Sequence, residues 1–412
     1  MCVQRGIVSN MRKMIICKDT VILWLIGIFL LYMFWFQYAV KPITGFLSII
    51  GFVLLFVSIN AQRVVNDYRY LFNVAFFVIA LLVSGVFFSK DKDLFFNLFF
   101  EILKCLLPMI AIYNYVGTDK ERLKNIFFLI LVSIVLMSIS LFSKGIDAVN
   151  GAIILGDLNS NKFSCYVLIG VVAVLYLLNE YDSRLMKLAL VISLIIMAVA
   201  QIEAASRRGV IVFAFMIITY IHSIIFVKYK AKPVYKITSA LIALILLYVI
   251  YLCFSEKFTD TVVFHRLLLR NSAADQKRAY YQREAWDIFL SNPLFGEGLG
   301  SVMRRVGMYS HSLYYELLAS GGIIATFCLL FPMGTKIVQY WKASKVSTDI
   351  KLMVQARTMA WFIVGVLISG IAVVYFYDID FYIIVGIFAA YSNCLNSLGY
   401  DEPIKVVVGS CY

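Results

Sequence analysis

Apolar windows of 16 to 22 residues recur along almost the whole chain, at 21–40, 43–58, 70–88, 94–115, 125–143, 163–178, 186–203, 209–227, 237–254, 312–333, 356–376 and 379–397. At about 1.5 Å of rise per residue, such windows approach or exceed the length needed to cross a hydrocarbon core of roughly 30 Å as helices. Backbone N–H and C=O groups have no water partner in that core, so a spanning segment must bond to itself as a helix or close into a barrel. A barrel would show alternating runs of about ten residues, and this sequence has none. The expectation is an all-α polytopic membrane protein with about twelve transmembrane helices. Composition agrees: 62% of the 412 residues are apolar and 15% charged, against roughly half and a quarter in soluble domains.

The first apolar run is too long for a signal-peptide core and lacks a small-residue cleavage site, so it is expected to remain as a helix. Lys and Arg asymmetry sets the expected orientation. With the N-terminus in the cytoplasm, 21 basic residues fall on inside segments and 7 on short outside loops. N-in and C-in follow. The expected organisation is nine helices in 1–254, a large outer loop at 255–311, three helices in 312–397 and a cytoplasmic tail at 398–412. The loop carries 8 basic residues, Arg283, Arg304 and Arg305 among them. Much of the net charge of +13 is therefore topology signal. The remainder makes a positive outer surface suited to an anionic substrate. A nucleic-acid function is excluded by the lack of a soluble basic domain to carry it. The eight cysteines lie outside that loop and show no metal-ligand spacing. They are read as inert thiols, and no cofactor is expected. No internal repeat is visible, which argues against an inverted-repeat transporter.

Residues 259–291 have Val263, Leu267, Tyr281, Ala285, Ile288 and Phe289 at helical spacing. The pair Asn292–Pro293 ends that pattern. The following LFGEGLGS has Gly296, Gly298 and Gly300. These glycines suit either an approach to phosphates through bare backbone amides or a hinge between helices. A dinucleotide fingerprint is excluded, because a helix precedes the glycines. His311 then stands at the start of the next apolar window, with Tyr315 and Glu316 just beyond. Histidine titrates near neutrality and serves most often as a general base. The alternative is a helix-capping place shared with Ser310 and Ser312. Glu316, an acid one turn into the membrane, is either functional or paired with an arginine.

Four other outer turns carry polar groups. EAASRRGV brings Arg207 and Arg208 to the mouth of the bundle. Their planar forks suit a diphosphate, and lipid headgroups are the alternative. Arg283 has Asp287 four residues on, so a helix-surface ion pair competes with a role in binding. DLNSN offers Asp157 and Asn159 either to sugar hydroxyls or to a helix cap. DKD at 91–93 and DID at 378–380 are weak candidates for a divalent cation.

Arg283, NPLFGEGLGS, YSHSLYYELLASGGIIATF and, upstream, SRRGV and DLNSN occur in an order and placement that resemble the O-antigen polymerase and O-antigen ligase superfamily. The resemblance covers about residues 150–335. It implies a metal-independent glycosyltransferase of the bacterial inner membrane, working at its outer face on a glycan carried by undecaprenyl diphosphate. It implies catalytic roles for His311, Arg283 and Arg207; from the residues themselves, Arg208, Asn159, Asp157, Gly296, Gly298, Arg304, Arg305, Tyr315 and Glu316 are the expected substrate contacts. It admits a chain-length regulator as partner. This sequence has Ser-Arg-Arg-Gly where Ser-Arg-Gly is commoner; Arg207 matches better because it follows Ser206 directly. The motif wording favours a polymerase over a ligase. A flippase is expected to line its path with charges deep in the helices, whereas the basic residues here gather in loops.

Overall fold

The computed structural model describes residues 19–39, 43, 45–60, 69–143, 155, 158–204, 206–228 and 273–399. The expected helix at 237–254, residues 255–272 of the outer loop and Asp157 lie outside the described residues. Thirteen helices follow in chain order among those described. They are α1 (Asp19–Ala39), α2 (Phe46–Asn60), α3 (Arg69–Phe88), α4 (Lys92–Val116), α5 (Lys120–Ser143), α6 (Ser160–Glu180) and α7 (Arg184–Glu203). Then come α8 (Arg207–Lys228), α9 (Ala273–Ser291), the short α10 (Ser301–Val306), α11 (Leu313–Val346), α12 (Ile350–Gly370) and α13 (Ile379–Asn396). Ten are long and apolar enough to cross a membrane, α2 is a shorter apolar helix, and α9 and α10 are polar.

The helices form a bundle whose centre is α6 and α13, both buried along most of their length. Around them α4, α5 and α11 pack on α13, while α5, α7, α8 and α12 pack on α6. Phe52, Phe56, Phe72, Phe87, Leu185 and Leu188 stay exposed on the outer helices. Such a surface suits lipid rather than water. Short turns tie the bundle at two ends. At one end Arg122 bonds Asp19 at 2.7 Å and Lys351 bonds Asp182 at 2.9 Å. At the other, Asp91 caps α4 by accepting the N–H of Leu94, and Asn159 caps α6 by accepting that of Lys162.

The 273–312 segment sits on this second end. Glu297 anchors it by bonding Lys90 of the α3–α4 turn at 2.8 Å. Its deeper anchor is a break in α11. Gly322, at φ 62° and ψ −164°, interrupts the helix and frees the carbonyls of the turn before it. The N–H groups of Glu297 and Gly298 donate to the carbonyls of Ala319 and Ser320 at 2.8 and 3.0 Å. In return, Ile323 and Ile324 donate to the carbonyls of Pro293 and Leu294. Only glycine allows so close an approach: a Cβ on Gly322 would stand 2.3 Å from the carbonyl oxygen of Leu294, and one on Gly296 2.5 Å from that of Ala319. The NPLFGEGLGS motif is thus a seam that replaces the lost helical hydrogen bonds.

Candidate active site

His311 lies in the turn between α10 and α11 at φ 60°, the one non-glycine residue with positive φ among those described. That conformation costs about 1–3 kcal/mol and persists only where the surroundings impose it. Here the imposition comes from the next helix. The buried carboxylate of Glu316 reaches back and accepts the N–H of Ser310 at 2.6 Å. The Ser310 hydroxyl donates to the carbonyl of Ser312 at 3.0 Å, and Ser312 takes the helix-capping position without a side-chain cap bond. The other Glu316 oxygen accepts from the Tyr377 hydroxyl at 3.3 Å. Among the described residues no arginine meets Glu316; it accepts from the Ser310 amide and the Tyr377 phenol. Burial and the nearby Glu316 charge hold the Tyr377 hydroxyl well above its usual range. It therefore remains a donor at neutral pH.

The imidazole lies between two aromatic rings. Tyr281 of α9 stacks at 6.0 Å and Tyr309 meets it at 4.5 Å. Burial first, and the charge of Arg278 second, lower the His311 pKa below the ordinary histidine value. The ring is therefore neutral at pH 7 and has a lone pair to offer. Arg278 also stands 3.8 Å from Asp275, which Arg207 contacts at 3.0 Å. Arg207, Asp275, Arg278 and His311 thus form a file from the start of α8 across α9 to the turn before α11.

His311 also borders a cavity of about 290 Å³, shared with Asn159, Asn161 and Lys162 at the start of α6, with Tyr309, and with Tyr377 and Asp378 before α13. Lys162 and Asp378 bond across it at 2.9 Å. Asp378 precedes α13 but makes no side-chain cap bond. Asp380 is fully buried two residues on, with neither carboxylate oxygen bonded to a described residue.

The other sequence candidates occupy distinct places. Arg283 is exposed and makes no ion pair with a described residue, so the Arg283–Asp287 pair does not form. It lies two residues, and hence about 200°, from Tyr281 around α9; the inward face of that helix holds Arg278, Tyr281, Ala285 and Ile288. Arg208 turns into the bundle. It donates to the carbonyl of Asn161 at 2.6 Å and to Cys165 Sγ at 3.4 Å, two residues of the His311 cavity lining, and lies 5.9 Å from the Tyr375 ring. Arg304 and Arg305 pair with Glu297 and Glu284 at 3.4 and 2.6 Å and pin α10 to its neighbours. The amides that Gly296 and Gly298 expected to offer to phosphate are engaged instead, Gly296 with the Asn292 carbonyl and Gly298 with that of Ser320. Tyr315 packs edge-on against Trp286 at 6.2 Å. In the acidic triplets Asp91 caps a helix and Asp378 pairs with Lys162. Among the described residues no group of three His, Cys, Asp or Glu is placed to hold a metal ion.

Arg278, Tyr281, Lys162, Tyr377 and Asp378 join the site without having been singled out by sequence as its members. One signal was present for two of them: Arg278 and Tyr281 stand seven and four residues before Ala285, on its face of the helix. The contacts across α6 and α13 leave no such trace, since 216 positions separate Lys162 from Asp378.

Together the helices and this one-ended polar site define a polytopic helical membrane protein with a half-enclosed basic and aromatic centre. Residues 192–330 match the family model described as O-antigen ligase. That match runs from α7 through the His311 turn to the middle of α11 and bears out the resemblance to the O-antigen polymerase and ligase superfamily. No curated protein matches the chain.

Proposed function

We propose that this chain is a glycosyltransferase of the bacterial inner membrane that polymerises oligosaccharide repeat units carried on undecaprenyl diphosphate. One observation carries this reading: a histidine held in a strained turn borders a polar cavity and feels the charge of Arg278, which shares Asp275 with Arg207. In the proposed reaction a hydroxyl of one glycan attacks the anomeric carbon of another. The new glycosidic C–O bond forms as the bond from that carbon to the diphosphate oxygen breaks. His311 takes the hydroxyl proton, and the lipid diphosphate leaves with the electron pair, its charge met by Arg207 and Arg278. Preorganised cations stabilise such a leaving group without solvent reorganisation. Arg278 takes the place expected for Arg283, because it shares the inner face of α9 with Tyr281. The outer face of the membrane is the proposed side of reaction, and a chain-length regulator is the proposed second protein.

Ligation to lipid A-core is the second reading, favoured by the description of the matched family. The test uses purified protein in liposomes and one synthetic lipid-diphosphate-linked repeat unit. A ladder of evenly spaced products supports polymerisation. Product only after addition of lipid A-core supports ligation. No transfer under either condition overturns the proposal.

A further inference from the structure

The proposed reaction needs two sugar-bearing molecules at one histidine, and the two sides of His311 differ in charge. On the α9 side, Arg207 and Arg278 both meet Asp275, and neither lines the cavity. On the other, Lys162 is already met by Asp378 at 2.9 Å, and Asp380 lies close enough to act on its charge as well. A wall so neutralised has little to offer a diphosphate. It has much to offer a ring of hydroxyls. Asn159 uses its side-chain oxygen to cap α6, which leaves its amide N–H groups for other partners. Asp378 and Lys162 supply an acceptor and a donor side by side, and Tyr309 and Tyr377 add aromatic surface.

Local structure does not account for this wall. Asp378 stands at the helix-capping position of α13 and forgoes the cap bond in favour of Lys162. Lys162 puts a cation in the first turn of α6, where the helix dipole disfavours it. Both side chains are about one-third exposed, and both line the cavity that His311 shares. At about 290 Å³ that cavity lies near the lower end of small-ligand sites.

We infer that the Asn159–Lys162–Asp378 wall, with Tyr309 and Tyr377, is the subsite for the acceptor sugar, binding its hydroxyls so that one faces His311, while the lipid diphosphate is held on the arginine side. This rests on the glycosyltransferase reading above. It assigns the acceptor a place distinct from that of the leaving group.

The test measures two bindings separately on the purified full chain in detergent. The first probe is the repeat-unit oligosaccharide released by hydrolysis from the surface polysaccharide of the source cells, observed by saturation-transfer NMR. The second is inorganic diphosphate, followed by calorimetry. Loss of a hydrogen bond to a charged group is expected to weaken the oligosaccharide about tenfold or more in Asp378→Asn, with diphosphate affinity within about twofold of the parent. Arg278→Gln is expected to show the reverse. Tyr309→Leu, which leaves the ion pair intact, is expected to weaken the oligosaccharide alone and guards against a folding defect in Asp378→Asn. Unchanged oligosaccharide affinity in both cavity variants overturns the subsite. So does an equal loss of both probes with an unaltered melting temperature, or no saturation transfer to the parent protein. Failure of the functional reading looks different: His311→Ala would retain full glycan transfer, whatever the binding results.

Discussion

The Glu316 carboxylate accepts the Ser310 N–H at 2.6 Å and so fixes the backbone one residue before His311, the residue held at φ 60°. A carboxylate from the first turn of α11 thereby sets the direction of the imidazole without touching the cavity. Its second oxygen, on the Tyr377 hydroxyl, ties the same turn to the loop before α13. Tyr377 in turn accepts the Gly300 N–H at 3.4 Å, so the seam glycines and the histidine turn share one polar knot.

Removing that tie is expected to lower kcat far more than it raises KM. Glu316→Ala should lose on the order of 10²-fold in kcat, the usual effect of misplacing a catalytic group by about an ångström. Glu316→Gln keeps an oxygen for the Ser310 amide and should recover much of the loss. The steady-state constants of both variants check this. Equal loss in the two, or loss in KM alone, would make Glu316 a substrate contact rather than a positioning residue.

The pH dependence follows from the setting of His311. Burial and Arg278 disfavour the charged imidazolium, so the pKa lies below the ordinary value. A general base works unprotonated. Activity is therefore expected to be full at neutral pH and to fall only as pH drops through that lowered pKa. Arg278→Gln removes one of the two causes. Its acid limb should move up towards the ordinary histidine value, separately from the overall loss that follows weaker diphosphate binding. A kcat/KM profile over pH 4.5–8 measures both. An acid limb that stays in place would show that Arg278 does not act on His311.

The fold was readable because each spanning segment must satisfy its own backbone in lipid, and a window such as 163–178 declares itself by length alone. The described α6, at 160–180, contains that window. The site was partly readable. His311 stood out because only three histidines occur in 412 residues and one of them meets a boundary. Arg283 was read from motif position, and the structure puts it on the exposed face of α9 while Arg278 turns inward. Helical phase carried that distinction; the motif did not. The glycines of GEGLG suit either a phosphate approach through bare amides or a hinge between helices. Nothing local to those residues reveals the broken helix at Gly322 that engages their amides. The Lys162–Asp378 pair depends on α6 meeting α13, a fact of packing alone.

The seam makes a prediction about stability. Gly322→Ala places a side chain at φ 62° and within 2.3 Å of the Leu294 carbonyl oxygen. It should destabilise the protein by about 1–3 kcal/mol, which a thermal melt in detergent reads as a clear drop in Tm. Gly334→Ala, in the same helix but with open space at its Cβ, should be neutral or gain up to roughly 1 kcal/mol. Equal melting temperatures in the two variants would contradict the account of the break.

The central claim is that His311 takes the proton from the attacking hydroxyl. Its most direct test is the initial rate of glycan transfer by reconstituted His311→Ala at pH 7, measured at saturating lipid-diphosphate-linked repeat unit beside the parent protein. The account predicts a loss of about 10²–10⁴-fold, the usual contribution of a positioned general base, with diphosphate affinity unchanged. Transfer at the parental rate would contradict it.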